Sequence, residues 1–177
     1  MLYKTIVADP PWMQPMMPAL KRRPKTAVSL PYPTMTVKEI AELPIRNLAD
    51  TGCHLWLWTT NKFLHDAFHI MDSWGFTYMQ TLTWVKTSGC GIYWVNTTQH
   101  LLFGYFEKCY FHHDKLKPTH FITPPPRKHS EKPAVSYNLI ESISDMPRLE
   151  LFARNKRQGW AVWGNEVKSD ISLSFCV

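Results

Sequence analysis

The sequence predicts an α/β fold, a sheet with helices packed on its faces. Three observations predict it. Short apolar, β-branched runs recur along the chain. Segments of helical periodicity separate several of them. The chain of 177 residues, 45% hydrophobic and 19% charged, has the length and balance of one domain with a real core. Residues 1–177 are therefore read as a single domain, interrupted by two long basic loops at 13–29 and 116–132.

The elements follow in order. Tyr3–Ala8 alternates toward full apolarity and reads as the first strand. Thr36 with Glu39 three residues on is a capping-box signature, opening a short helix that Pro44 stops. A strand is expected at 53–58. In 61–74 Leu64, Ala67, Phe68, Met71 and Trp74 line one helical face, and Gly75 stands where a C-terminal cap belongs. Strands are expected at 76–86 and 100–106. Pro133 at a first helical position, followed by Val135, Leu139, Ile140 and Ile143, marks a further helix. The last strands are expected at 148–153 and Trp160–Trp163.

Charge and cysteine content narrow the function classes. Lys and Arg number 20 against 14 Asp and Glu, a net charge of +6 that attracts polyanions and is equally compatible with plain solubility. Cys53, Cys90, Cys109 and Cys176 have no paired metal-ligand spacing, and the N-terminus does not read as a signal peptide, so reduced thiols in a cytoplasmic compartment are expected. No apolar run approaches the roughly 20 residues that cross a bilayer. His65 and His69 stand four apart with Asp66 between them, but the Glu that zinc hydrolases need beside the first His is absent. They belong to the polar face of the helix, and no metal is expected. Likewise His112-His113 reads as surface, and Cys90 has no identifiable base beside it.

The chemistry concentrates behind the first strand, in Asp9-Pro10-Pro11-Trp12. The Asp9 carboxylate and the free carbonyl of Pro10 can accept both hydrogens of an exocyclic amine, Pro11 stiffens the loop without adding an N–H, and Trp12 offers a stacking face. Gripping both N–H bonds favours a pyramidal nitrogen whose lone pair points at an electrophile, as methylation of adenine N6 requires. The same tetrapeptide also describes a strand ending in a Pro-Pro turn with a core Trp. The basic loops, with Lys21, Arg22, Arg23 and Lys25 in the first and Lys117, Arg127 and Lys128 in the second, adjoin this chemistry and suit phosphates, or are solvated surface.

A series of blocks in order extends this tetrapeptide: Val7-Ala8-Asp9-Pro10-Pro11-Trp12, Leu30-Pro31-Tyr32-Pro33-Thr34-Met35, Leu55-Trp56-Leu57-Trp58-Thr59-Thr60-Asn61, Thr83-Trp84-Val85-Lys86-Thr87, Ser130-Glu131-Lys132-Pro133, Glu150-Leu151-Phe152-Ala153-Arg154 and Trp163-Gly164-Asn165-Glu166. From about residue 3 to about residue 167 the chain closely resembles the MT-A70-like N6-adenine methyltransferases, which include the eukaryotic mRNA methyltransferase and many short bacterial and phage members. The resemblance implies a Rossmann-like methyltransferase fold with a single mixed, mostly parallel sheet and helices on both faces. It also implies S-adenosylmethionine as methyl donor, nucleic acid as substrate with DNA preferred over RNA, and a bacterial or phage-infected cell as the setting. An assembly as homodimer or heterodimer is also compatible with it, as is a catalytically silent binding subunit of the same fold.

By resemblance, Asp9, Pro10, Pro11 and Trp12 are catalytic, and Lys132 meets the methionine carboxylate. Arg154, Asn165 and Glu166 lie around the ribose, while Asp9 and Glu150 join the cofactor side. On the substrate side stand Trp12, Tyr32, Trp84, Lys86, Lys21, Arg22, Arg23, Arg127 and Lys128. Read alone, Lys132 is equally a solvated residue before a helix, Arg154 a strand-end charge and Asn165 a turn former. Two departures stand out. The chain starts almost at the catalytic loop, leaving contacts to the cofactor's adenine unassigned. After Arg154 the family's eukaryotic branch has a His-Asn pair that Asn155-Lys156-Arg157 lacks.

Overall fold

The computed structural model describes residues 1–13, 33–91, 93–111, 116–126 and 131–173. Among these, β1 (Tyr3–Ala8), β2 (Ala49–Thr59), β3 (Thr77–Cys90), β4 (Asn96–Tyr105), β5 (His120–Thr123), β6 (Arg148–Leu151) and β7 (Trp160–Trp163) form a sheet in the order β5-β3-β4-β2-β1-β6-β7. Pairing is parallel except where β4 meets β2 and β3. The other strands thus share one direction, and their carboxyl ends open at one edge. Helices α1 (Val37–Ala41), α2 (Leu64–Ser73) and α3 (Ala134–Ile143) complete the fold, with single 3₁₀ turns at Ile45–Leu48 and Asn61–Phe63.

Two cores explain why the central strands read as continuous apolar runs. Ile6 and Ala8 of β1 and Leu55 and Leu57 of β2 turn to one face, where they pack with Ile40 of α1 and Ala67, Ile70 and Met71 of α2. Val7, Trp56 and Trp58 turn to the other, against Tyr137, Ile140 and Ile143 of α3. A strand covered on both faces needs apolar residues at every position. The arrangement is the α/β, mostly parallel, Rossmann-like one expected, with helices on both faces.

Local chemistry fixes the helix ends. Thr36 Oγ1 accepts the Glu39 N–H at 3.2 Å, and the Glu39 carboxylate accepts the Thr36 N–H at 2.7 Å, closing the capping box of α1. Gly75, at φ 80°, follows the Trp74 cap of α2 in the left-handed region that glycine enters without cost.

Several boundaries move. β2, β3 and β4 are longer than 53–58, 76–86 and 100–106, because cross-strand hydrogen bonds continue the ladders after the apolar pattern has ended. The segment read as loop 116–132 contains β5, which pairs with residues 83–86 of β3. Pro133 caps α3 from outside instead of opening it. Tyr32, Lys21, Arg22, Arg23, Arg127 and Lys128 lie outside the described residues.

Candidate active site

The carboxyl end of β1 delivers Asp9, and the segment before α3 delivers Lys132, to the same point. Lys132 Nζ lies 2.5 Å from Asp9 Oδ2, a contact between residues 123 positions apart. The lysine side chain is 8% exposed and the aspartate 34%, so the cation is withdrawn while one side of the carboxylate faces solvent. Lys132 Nζ also stands 5.4 Å from the ring centre of Trp58 at the end of β2, an attraction that adds to its desolvated setting.

Beside this pair opens a cleft of about 530 Å³, within the range of small-ligand sites. Asp9, Lys132, Glu150, Arg154 and Glu166 line it, together with Glu131, Tyr137, Phe152, Asn155, Lys156 and Arg157. Asn165 is exposed and is not among the lining residues. The cleft sits at the carboxyl ends of β1 and β6, where ligands bind in open α/β sheets.

Glu150 stands one residue before the end of β6, on the α3 side. The Tyr137 hydroxyl donates to Glu150 Oε1 at 2.6 Å, and the Arg157 guanidinium stacks 3.8 Å from the Tyr137 ring centre. Burial raises the Glu150 carboxyl above the ordinary range, partly opposed by the Tyr137 hydrogen bond and the Arg157 charge. Burial, with the neighbouring Glu150 carboxylate, also pushes the Tyr137 phenol upward, so it stays a donor. After β6 the chain turns sharply: Phe152 sits at φ 61°, and a side chain on Gly164 would collide with the Ala153 backbone. A non-glycine residue in that region costs of order 1–3 kcal/mol and is a feature of binding sites. Here the turn carries Phe152 and Arg154 to the cleft, and Arg154 Nε lies 3.4 Å from Glu166 Oε1.

Three substrate-side expectations change. The Pro10 carbonyl is not free: it accepts the Trp12 N–H at 2.9 Å, leaving one lone pair for a ligand. Trp12 is 6% exposed and stacks on Phe63, with ring centres 5.1 Å apart and planes at 14°. One face of the indole is therefore occupied by the protein, and the residue backs the loop after β1 from the core. Trp84 is 2% exposed, donates its indole N–H to the Thr123 carbonyl at 3.1 Å and packs edge-on against Trp58. It braces Trp58 from within the core and offers no open face to a base. Lys86 is half-buried, its Nζ 5.8 Å from the Trp84 ring centre.

Tyr137, Phe152 and Arg157 were missed from sequence. Tyr137 belongs to no motif of its own but sits in the first turn of α3, four residues past Pro133 and so close behind Lys132 in the chain. The lining donors suit an amino-acid zwitterion and a ribose diol. Lys132 and the Arg side chains offer charge to a carboxylate, and Asp9, Glu131 and Glu150 offer acceptors to an ammonium or hydroxyls. His65 and His69 are exposed on α2, and no group of three His, Cys, Asp or Glu side chains converges among the described residues. No described helix is long and apolar enough to cross a membrane.

Comparison with known proteins agrees with this architecture. The MT-A70 family model matches residues 3–166. The chain is 29% identical to the type II methyltransferase M.MunI of a Mycoplasma species, across 93% of this chain and 78% of that protein. Identity is 29% to the human N(6)-adenosine-methyltransferase catalytic subunit METTL3 and 28% to the human N(6)-adenine-specific methyltransferase METTL4. In both cases 93% of this chain is covered, against 28% and 37% of the relatives. The chain thus spans less than two fifths of these longer relatives and most of the Mycoplasma one. With the family's match running through Asp9, Lys132, Glu150 and Arg154, the chain belongs to the MT-A70 family of N6-adenine methyltransferases.

Proposed function

We propose that this protein transfers a methyl group from S-adenosylmethionine to the exocyclic amine of adenine in nucleic acid, with DNA preferred over RNA. The observation that carries the reading is the meeting of Asp9 and Lys132 at the mouth of a cleft that also holds Glu150. S-adenosylmethionine, when bound, supplies an electrophilic methyl group on a sulfonium centre. Lys132 and Glu150 would hold its carboxylate and ribose, respectively.

The chain's own residues then do the following. Asp9 accepts one hydrogen of the target amine and the remaining Pro10 lone pair accepts the other. The base must leave its stack to reach them. The two bonds orient the N6 lone pair, and Asp9 stabilises the positive charge that develops on nitrogen. The proton is lost from N6 afterwards, so no strong base is required. Positioning the reactants supplies most of the acceleration. The DNA preference is supported by the likeness to the type II methyltransferase M.MunI, 78% of whose length the match covers.

The test is to incubate purified protein and S-adenosylmethionine with DNA and RNA separately, digest each, and quantify N6-methyladenine by mass spectrometry. Methyladenine in DNA above RNA is expected. The reverse ratio overturns the preference, and cofactor binding without methylation of either would establish a silent subunit.

A further inference from the structure

The β3–β4 hairpin supplies a surface that the catalytic site does not use. Ala8 pairs with Leu57, Leu57 with Leu102 and Leu102 with Thr81, so Asp9 stands level with Leu82 of β3. The strand continues to Cys90. Residues 82–90 pair with only 96–101 of β4, across an irregularity between Val85 and Cys90, so at about 3.3 Å per residue the paired arm rises roughly 17 Å past that level. Because β3 runs in the direction of β1, this arm rises from the edge that carries Asp9 and the cleft, displaced sideways by three strand spacings of about 4.8 Å each.

The end of the arm is aromatic and open. Tyr93 is 89% exposed, Trp94 84% and Val95 67%. The turn is tight: a side chain on Gly91 would collide with the Trp94 carbonyl, and one on Gly89 would come 2.5 Å from the Asn96 carbonyl oxygen. Charge points to the partner. From Asp72 to Glu107 the sequence contains no intervening carboxylate, although it includes Lys86 and much exposed strand. An arm without acids on a chain of net charge +6 meets a polyanion without repulsion, and aromatic faces bind unstacked bases regardless of sequence.

We propose that Tyr93 and Trp94 form a stacking platform for unpaired nucleotides flanking the target adenine. This rests on the reading of the substrate as nucleic acid. The platform stands roughly 25 Å from Asp9 by the strand spacings above, so it engages bases several nucleotides away from the target and none adjacent to it.

The experiment compares wild-type protein with the combined Tyr93→Ala, Trp94→Ala variant on single-stranded oligonucleotides of about 25 and about 7 nucleotides, each with a central adenine. Two lost stacking contacts should weaken binding of the long strand about 30-fold or more and that of the short one less than twofold. The salt dependence should stay unchanged, because no phosphate contact is removed. S-adenosylmethionine affinity, measured by calorimetry, should match wild type and so certifies the fold. Equal affinity of variant and wild type for the long strand overturns the platform alone, as does an equal loss on both lengths. A variant that turns a wild-type dimer into a monomer in sedimentation, with nucleic-acid affinity retained, also overturns it and makes the tip a protein interface. Failure of the wild type to bind either strand overturns the platform and the nucleic-acid reading together.

Discussion

Removing the Lys132 ammonium tests the site at its most connected point. Its Nζ lies 2.5 Å from Asp9 Oδ2 with only 8% of the side chain exposed, so Lys132→Ala deletes a withdrawn charge that is assigned to the methionine carboxylate and that also holds Asp9. A hydrogen bond to a charged group contributes about 1.5–3 kcal/mol, which predicts S-adenosylmethionine binding weakened about 10- to 150-fold in calorimetry. Lys132→Arg should recover only part, since a planar guanidinium does not repeat the geometry of a compact ammonium. Saturating cofactor should restore turnover incompletely, because Asp9 has lost its positioning partner. A double-mutant cycle with Asp9→Asn isolates the pair: the asparagine substitution should cost less cofactor affinity in the Lys132→Ala background than in wild type. Cofactor affinity unchanged in a folded Lys132→Ala protein, with nucleic-acid affinity reduced, would refute the assignment and place Lys132 among the phosphate contacts.

Other perturbations have equally definite expected outcomes. Asp9→Ala should abolish methyl transfer in the mass-spectrometric assay with the fold retained, and Asp9→Asn should keep more activity because an amide oxygen still accepts one hydrogen bond. Glu150 is held above the usual carboxylate range by burial, so it takes up a proton at higher pH than an ordinary glutamate. Cofactor affinity should therefore fall as pH drops through that raised value, Tyr137→Phe should move the fall to still higher pH, and Glu150→Gln should flatten it in calorimetry across pH. The unliganded fold responds oppositely, gaining stability as pH falls from the raised folded value toward the unfolded one, because there the native state binds the proton more tightly. Trp12→Ala should cost about 3–5 kcal/mol in urea unfolding, the scale of a large core truncation, instead of acting only on base binding. Replacing Lys21, Arg22, Arg23 and Lys25 together by Ala should lower the log–log salt slope of nucleic-acid binding by roughly 0.7–0.9 per lost phosphate contact, with cofactor affinity unchanged.

Sequence by itself determined the features whose causes are local. The β1 run, the Thr36–Glu39 box, the apolar face of α2 and the glycine after it are each set by residues within a few positions of one another, so periodicity and capping chemistry reveal them. Asp9 at a strand end followed by two prolines was legible as a strand-to-loop junction for the same reason, and the order of motifs pointed to the family. Tertiary structure decided what depends on distant partners. The reversal of β4 and the pairing of β5 with β3 come from ladders closed between segments far apart in the chain, and β5 lies among prolines and basic residues that hide its pattern. Residue type could not distinguish a tryptophan that stacks on a base from one that stacks on Phe63, as Trp12 does, or one that braces Trp58, as Trp84 does. The Asp9–Lys132 contact and the Tyr137–Glu150 hydrogen bond are likewise products of folding. Each joins groups whose charge or polarity would suit solvent equally well, and only the packing of α3 over the carboxyl ends of β1 and β6 brings them together in one cleft.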